Sequence, residues 1–172
     1  ARLTVIVGYS FLLGVMPHAF VGIFVGPLEE RVEAVQPVDP LVKFRNAQSL
    51  TETELKELLK AVGFEGPSLK VAWTVAMKES NGRPKAHNDN LNTGDNSYGI
   101  FQINMLGSLG EDRRELFNLT SNSELFDPVT NAQAAYYMTA GGTDWSSWKV
   151  VPGKNNGERY NNLFEQYPRN NT

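Results

Sequence analysis

Residues 69–84 read LKVAWTVAMKESNGRP, and this stretch decides the class of fold. Apolar side chains recur there at the spacing of one helical face: Leu69, Ala72, Trp73, Ala76 and Met77. A run of Asn, Gly and Pro follows, and these residue types favour the end of a helix. The stretch therefore predicts an amphipathic helix that begins near Pro67 and ends near Ser80.

Further helices are predicted on both sides of this one. Thr51 and Glu54 have the spacing of a capping box, and Gly63 favours the end of the helix that they begin. Asp127 and Pro128 are typical of the start of another helix. The sequence shows no alternation of strands with helices, which argues against a Rossmann-type sheet. The chain is therefore predicted to be mainly helical.

The composition limits the classes of function. With 41% hydrophobic and 20% charged residues, the chain of 172 residues matches a globular protein, and its net charge of −3 provides no broad basic surface for nucleic acid. It contains no cysteine, which excludes disulfides, thiol nucleophiles and thiolate metal sites. Its two histidines, His18 and His87, are far apart in the sequence. We therefore expect no metal, no cofactor and no nucleic-acid partner.

Residues 3–26 form an apolar segment without a formal charge. Sixteen of these 24 residues are apolar and four are glycine. A helix of this length rises about 36 Å and a bilayer core is roughly 30 Å thick, so a membrane-spanning helix is the first interpretation. A signal peptide and an arm buried against a partner protein are the alternatives. We expect this segment to lie outside the soluble core and to contact a lipid bilayer or virion proteins.

Two prolines separate the apolar segment from the rest of the chain. Residues 35–40 read VQPVDP, which favours an extended linker. We predict an N-terminal hydrophobic segment at 1–34, this linker, a globular domain at 41–167 and a polar tail at 168–172.

Glu79 is the leading candidate for a catalytic residue. It lies three positions beyond Ala76 of the apolar face, so its side chain leans toward the edge of the core. Partial desolvation and the negative end of the helix dipole both favour a protonated carboxyl. A protonated carboxyl is what a general acid needs to cleave a glycosidic bond. A solvated glutamate is the alternative, because helix ends often carry this residue.

A second element follows residues 85–97, whose Asn, Asp and Gly content predicts a loop or a small hairpin. Residues 97–104 read SYGIFQIN, where the glycine permits a close approach of the backbone to a ligand. Amide side chains suit sugar hydroxyl and acetamide groups, because they donate and accept together. We assign Tyr98, Gln102 and Asn104 as candidate substrate-binding residues. A half-buried strand with an exposed amide face is the alternative.

Aromatic residues supply a third element, because their faces stack on sugar rings. Most aromatic residues at helical spacing simply belong to the core, and we expect this of Trp73 and Tyr136. We expect one or two of the other candidates, Tyr137, Trp145 and Trp148, to lie at a cleft and contact the substrate.

Four groups of residues occur in the order typical of one superfamily. They are Glu79-Ser80 followed by Gly82-Arg83-Pro84, then Gly99-Ile100-Phe101-Gln102, then Asp127-Pro128 with Asn131, and last Gly141-Gly142 with Trp145 and Trp148. From Leu50 to about Tyr167 the chain resembles the lysozyme-like soluble lytic transglycosylase superfamily, and it is more narrowly similar to the transglycosylase domains of phage virion and tail proteins. The resemblance implies a mainly helical α+β lysozyme-like fold with a small hairpin region.

The resemblance also implies roles for single residues. Glu79 matches the catalytic acid of the family. Ser80 matches the serine that helps to arrange the site, and we include it among the candidate substrate-binding residues. Gln102 matches the glutamine that lines the sugar groove, and Asn131 matches a structural asparagine. Many members carry a further motif, Ala-Tyr-Asn-Ala-Gly, whose tyrosine assists catalysis. The corresponding region here reads MTAGG, so either Tyr137 supplies the phenol or that role is absent.

The substrate that the resemblance implies is peptidoglycan, and the implied reaction is lytic transglycosylation at the MurNAc–GlcNAc β-1,4 bond. This reaction needs one carboxyl, because the nucleophile belongs to the substrate. A lysozyme-type hydrolase, the runner-up, needs a second carboxylate, for which Asp89 and Asp95 are candidates unless they only shape their loop. A non-catalytic glycan-binding or structural virion module is the rival class. We expect a membrane- or virion-associated protein, with a phage particle as the first location, that penetrates the bacterial cell wall.

Overall fold

A computed structural model of the chain describes residues 39–168. This part of the molecule contains five α-helices and one three-stranded sheet. The helices are α1 (Glu52–Val62), α2 (Gly66–Ser80), α3 (Gly107–Leu116), α4 (Pro128–Met138) and α5 (Glu158–Gln166). The strands are β1 (His87–Asn88), β2 (Ser97–Tyr98) and β3 (Ile103–Asn104), and short 3-10 helices lie at Val42–Phe44, Leu91–Thr93, Asn122–Phe126 and Ser146–Trp148. The prediction of a mainly helical domain with a small hairpin region is confirmed.

Local signals in the sequence fix the ends of the first two helices. Thr51 Oγ1 accepts from Glu54 N (3.2 Å), and Glu54 Oε2 accepts from Thr51 N (2.8 Å), so the predicted capping box is present. Gly63, with φ at 123°, ends α1. After α2, Asn81 adopts a left-handed conformation and its backbone N–H donates to Met77 O (2.9 Å). These caps determine where the last turn of α2 lies.

Helix α2 is buried on more sides than its periodicity predicts. Besides the predicted apolar stripe, Val71, Thr74 and Val75 are at most 4% exposed. Helices α1 and α5 both pack against α2. The buried hydroxyl of Thr74 is satisfied, since it donates to Lys70 O (2.8 Å). The helix that ends in the candidate acid is therefore the central element of the domain.

The sheet is antiparallel, with the strand order β1-β2-β3. His87 pairs with Tyr98 across β1 and β2, and Ser97 pairs with Asn104 across β2 and β3. Residues 99–102 form the turn between the last two strands. The carbonyl of Asn104 accepts a hydrogen bond from the Arg113 guanidinium, which ties α3 to the sheet.

Helices α3 and α5 have no counterpart among the sequence predictions. Helix α3 buries only Gly110, so it has no apolar stripe that could reveal it. A Cβ at Gly110 would lie 2.1 Å from Met105 O, and the helix therefore approaches the chain after β3 more closely than any other residue type permits. Two arginines connect helix α3 to the rest of the domain: Arg113 bonds to Asn104, and Arg114 Nη1 donates to Asn122 Oδ1 (2.8 Å).

Aromatic side chains fill the core. Neighbouring rings lie 5.8 to 6.3 Å apart in a buried cluster of four: Phe64, Phe101, Trp145 and Trp148. Trp73 is fully buried as predicted, and its Nε1 donates to Glu52 O (3.1 Å). Tyr136 is half-buried and sets its ring edge-on to Phe64 at 4.9 Å, so it borders the core.

Tyr160 of α5 has a buried phenol that makes no hydrogen bond within the described residues, and burial raises its pKa to about 12. In the unfolded chain this phenol has a pKa near 10. The contribution of Tyr160 to the free energy of unfolding is therefore constant below about pH 10 and decreases as the pH rises toward 12. We expect Tyr160→Phe to raise the free energy of unfolding by about 1 kcal/mol at neutral pH and to flatten this alkaline fall. Urea unfolding at neutral pH and at alkaline pH measures both effects, and Tyr137→Phe, a change at an exposed tyrosine, is the control. A loss of stability at neutral pH would contradict the prediction.

Candidate active site

Glu79 occupies the next-to-last position of α2, with a quarter of its side chain exposed. Lys78 Nζ lies 2.9 Å from Glu79 Oε1. The carboxylate therefore has a cationic neighbour that the sequence-based prediction did not include.

Glu79 lies at a cleft of about 590 Å³. The end of α2, the sheet with its loops, α3, the end of α4 and the 3-10 helix at Ser146–Trp148 all contribute to its walls. Ten of the fourteen lining residues are polar or charged, which suits a ligand rich in hydroxyl groups. The lining consists of Lys78, Glu79, Asn88, Asp95, Ser97, Gln102, Ile103, Asn104, Leu109, Arg113, Met138, Ser147, Trp148 and Lys149.

Ser80 joins the end of α2 to the turn between β2 and β3. Its side chain is 3% exposed, and its Oγ donates to Ile100 O over 2.7 Å, with Ala76 O at 3.1 Å. Ser80 is not among the residues that line the cleft. The structure therefore places this candidate outside the cleft lining, where it bonds the end of α2 to the turn.

Two other elements hold the same turn. Asn131 of α4 is fully buried, accepts from Phe101 N (2.9 Å) through Oδ1, and donates to Tyr98 O (2.8 Å) through Nδ2. Trp148 Nε1 donates to Phe101 O (2.8 Å). The turn that carries Gln102 is therefore bonded to three separate parts of the fold.

Gln102 is half-buried and lines the cleft. Its backbone has a φ of 49°, and its Nε2 donates to Ala86 O (3.1 Å) and Gly99 O (3.0 Å). Its Oε1 has no hydrogen-bond partner within residues 39–168. This oxygen is thus left to accept from a sugar hydroxyl or an acetamide N–H.

Two further side chains from the sheet region line the cleft. Asn104 donates through Nδ2 to Gly94 O (2.8 Å) and accepts two backbone N–H groups through Oδ1, so its amide chiefly shapes the loop. Asp95 lies at the cleft, and its Oδ2 accepts from Thr93 Oγ1 (2.8 Å). Asp89, the other candidate for a second carboxylate, is exposed and is not a lining residue.

Of the four aromatic candidates, the structure brings Trp148 to the cleft. Tyr98 is half-buried and packs on the ring of His87 at 4.4 Å. Tyr137 is 63% exposed and lies outside the lining, so its phenol is not placed beside Glu79. Trp145 is 1% exposed and belongs to the core.

Three cations line the cleft that were not predicted from the sequence: Lys78, Arg113 and Lys149. Lys78 is the only one with a local signal, because it precedes the candidate acid directly. The other two reach the cleft through packing. Within the part of the chain that the structure describes, no group of three or more His, Cys, Asp or Glu side chains is arranged to hold a metal ion.

A family model described as a lysozyme-like domain matches residues 56–150, more than half of the chain. The chain belongs to this lysozyme-like family. The match includes all the residues that line the cleft, and α5 lies beyond its end. Membership confirms the superfamily that the four sequence motifs predicted, and it indicates an enzyme that acts on peptidoglycan. No curated protein and no solved structure gives a significant match to the chain.

The predicted membrane-spanning segment at residues 3–26 and most of the predicted linker at 35–40 lie outside the described residues. Between residues 39 and 168, no helix combines the length and the apolar character needed to cross a membrane.

Proposed function

We propose that this lysozyme-like domain is a lytic transglycosylase, which cuts the β-1,4 bond between MurNAc and GlcNAc in peptidoglycan. The observation that carries the proposal is the position of Glu79, at the end of a buried helix and at a mostly polar cleft. One carboxyl suffices, because the attacking hydroxyl belongs to the substrate. Gln102 and Trp148 line the same cleft. Gln102 supplies an amide for the sugars, and Trp148, which is 8% exposed, supplies a small aromatic surface.

Glu79 acts first as a general acid and then as a general base. Its carboxyl proton passes to the glycosidic oxygen as the bond from that oxygen to C1 of MurNAc breaks. The carboxylate then takes the proton of the C6 hydroxyl of the same MurNAc residue, and O6 bonds to C1. The product has a 1,6-anhydro end, Glu79 is protonated again, and no water is consumed. Lys78, at 2.9 Å in the free enzyme, stabilises the carboxylate formed between the two proton transfers.

A muramidase-type hydrolase is the second candidate, and Asp95 is the observation that favours it. This carboxylate lines the same cleft as Glu79, whereas Asp89 does not. A second carboxylate across a cleft can activate water or attack C1 directly. The transglycosylase remains the first choice because Asp95 also has a local role, as the acceptor for Thr93 Oγ1.

Mass spectrometry of the fragments released from purified cell walls distinguishes the two reactions, because anhydro ends are lighter than reducing ends by one water. We expect anhydro ends from the wild-type chain, and from Asp95→Asn at a rate within about twofold of wild type. Asp89→Asn is the matched control outside the cleft. Reducing ends, together with a loss of about 100-fold or more in Asp95→Asn, would instead establish the hydrolase. Binding to the walls without any released fragment would favour the non-catalytic module.

We further propose that residues 3–26 hold the enzyme at a membrane or in a virion, where it serves to penetrate the cell wall. The support is the composition of this segment. It has 24 mostly apolar residues without a formal charge, and such a segment is unfavourable in contact with water. We expect the full chain to float with liposomes, and residues 41–172 to remain folded and active without floating. A truncated chain that unfolds, or a full chain that stays soluble without detergent or partner, would contradict this proposal.

A further inference from the structure

We infer that the cleft recognises a carboxylate carried by the glycan, and that Lys149 binds it. The inference rests on the proposed function, because it takes the cleft as the glycan-binding site. Lys78, Arg113 and Lys149 line the cleft, against the two carboxylates of Glu79 and Asp95. The cleft therefore carries an excess of positive charge, although the whole chain has a net charge of −3.

The charged groups of the three cations differ in the contacts that they already make within the protein. Lys78 is paired with Glu79 at 2.9 Å, and the guanidinium of Arg113 donates to the carbonyl of Asn104. The ammonium of Lys149 has neither an ion pair nor a hydrogen bond within residues 39–168, and the residue is exposed. Lys149 is therefore the cleft cation whose charged group has all of its donors left for a ligand.

The backbone fixes Lys149 relative to the proposed acid. Lys149 directly follows Trp148, whose Nε1 donates to Phe101 O (2.8 Å). Ser80, which directly follows the acid, donates to Ile100 O (2.7 Å). Successive carbonyls of one turn therefore anchor the residue after Glu79 and the residue before Lys149. Lys149 also has a φ of 54°, a left-handed conformation that is unfavourable for a lysine, and this conformation sets the direction of the chain at the cleft.

Carboxylates distinguish peptidoglycan from other β-1,4-linked N-acetylhexosamine polymers. Every second sugar carries a lactyl group, which ends in a free carboxylate or in a peptide that has carboxylates of its own. A polymer of GlcNAc alone has none. An ammonium at the cleft would therefore favour muramic-acid glycans through a charge-assisted hydrogen bond. The lactyl group and the peptide are two sources of the same ligand chemistry.

Cosedimentation with insoluble, phosphate-free peptidoglycan tests the inference. All variants are full chains in non-ionic detergent and carry Glu79→Gln, so that the glycan persists. We expect the additional change Lys149→Gln to weaken binding about three- to fivefold at low salt, and Lys149→Arg to restore it. Peptidoglycan whose carboxyl groups have been converted to amides should bind both forms equally. Lys154→Gln, an exposed lysine outside the cleft, is the matched control and should leave binding unchanged.

Amidase-treated glycan, which keeps only lactyl carboxylates, identifies the source of the ligand. A persistent effect of Lys149→Gln on this glycan supports recognition of the lactyl group, and an effect confined to untreated peptidoglycan supports recognition of the peptide. An equal loss on amidated and native glycan, or no loss on native glycan, would overturn the inference. Lys149→Asn, whose side chain tolerates a left-handed backbone, replaces Lys149→Gln if the latter lowers the melting temperature. Failure of the proposed function would show differently, as absence of cleavage by the wild-type chain.

Discussion

Glu79→Gln is expected to lower the rate of peptidoglycan cleavage by a factor on the order of 10² to 10⁴, with the fold intact. Glutamine keeps the shape of the side chain and its hydrogen-bonding capacity, but it cannot donate a carboxylic proton. The change also removes the partner of Lys78 from a partly exposed ion pair, which alters the free energy of unfolding by at most about 1 kcal/mol.

The loss of turbidity of purified cell walls measures the effect of Glu79→Gln. Glu115→Gln is the matched control, because Glu115 is also the next-to-last residue of a helix but lies outside the cleft and is exposed. We expect this control to keep the wild-type rate. A Glu79→Gln variant with the same rate as the control would remove Glu79 from the catalytic mechanism.

Gly99→Ala is expected to reduce the free energy of unfolding by about 3 kcal/mol or more. Gly99 opens the turn that Ser80, Asn131 and Trp148 bind, and its φ is 73°. A Cβ there would lie 2.3 Å from Asn131 Nδ2 and 2.3 Å from Leu125 O. Because the carbonyl belongs to the backbone and the amide is fully buried, neither atom can move away without a large cost in free energy.

Gly94→Ala separates the cost of the backbone conformation from the cost of the close approach at Gly99. Gly94 has nearly the same φ, 76°, but a Cβ there would meet no atom within 4 Å. We therefore expect Gly94→Ala to have only the backbone cost, about 1 kcal/mol. Urea unfolding of both variants measures the difference, and equal losses would show that the close approach at Gly99 is relieved by local movement.

The sequence predicted the parts of the fold that rest on local chemistry. The capping box of Thr51 and Glu54, the end of α2 near Ser80 and the start of α4 at Asp127 all lie where their residue types indicate. Each signal acts within about one helical turn, so a single sequence contains all of it. The position of Glu79 at the end of α2 follows from the same signals.

Other features depend on contacts between distant residues, and periodicity does not report them. Helix α3 buries only Gly110 and has no apolar stripe, and Arg113 and Arg114 bond it to distant residues. Trp145 and Trp148 have the same residue type and lie three positions apart, yet only Trp148 lines the cleft. Both side chains belong to one buried aromatic cluster, with 1% and 8% exposed, so neither residue type nor spacing predicts which of them reaches the cleft.

The positive charge of the cleft is another feature that the sequence alone does not predict. Its cations come from the end of α2, from α3 and from the residue after the last 3-10 helix, and the chain separates them by at least 35 positions. Sequence spacing gives no reason to group Lys78, Arg113 and Lys149, and only the fold does so. The predicted desolvation of Glu79 likewise leaves out the ammonium of Lys78 beside it.

The number of new glycan chain ends formed per protein molecule, counted on purified peptidoglycan, decides most directly whether this cleft is catalytic. The wild-type chain is expected to form well over one new end per molecule, each a 1,6-anhydro end, while Glu79→Gln forms almost none. Fewer than one new end per wild-type molecule, with binding to the glycan retained, would contradict catalysis at Glu79 and leave a glycan-binding module.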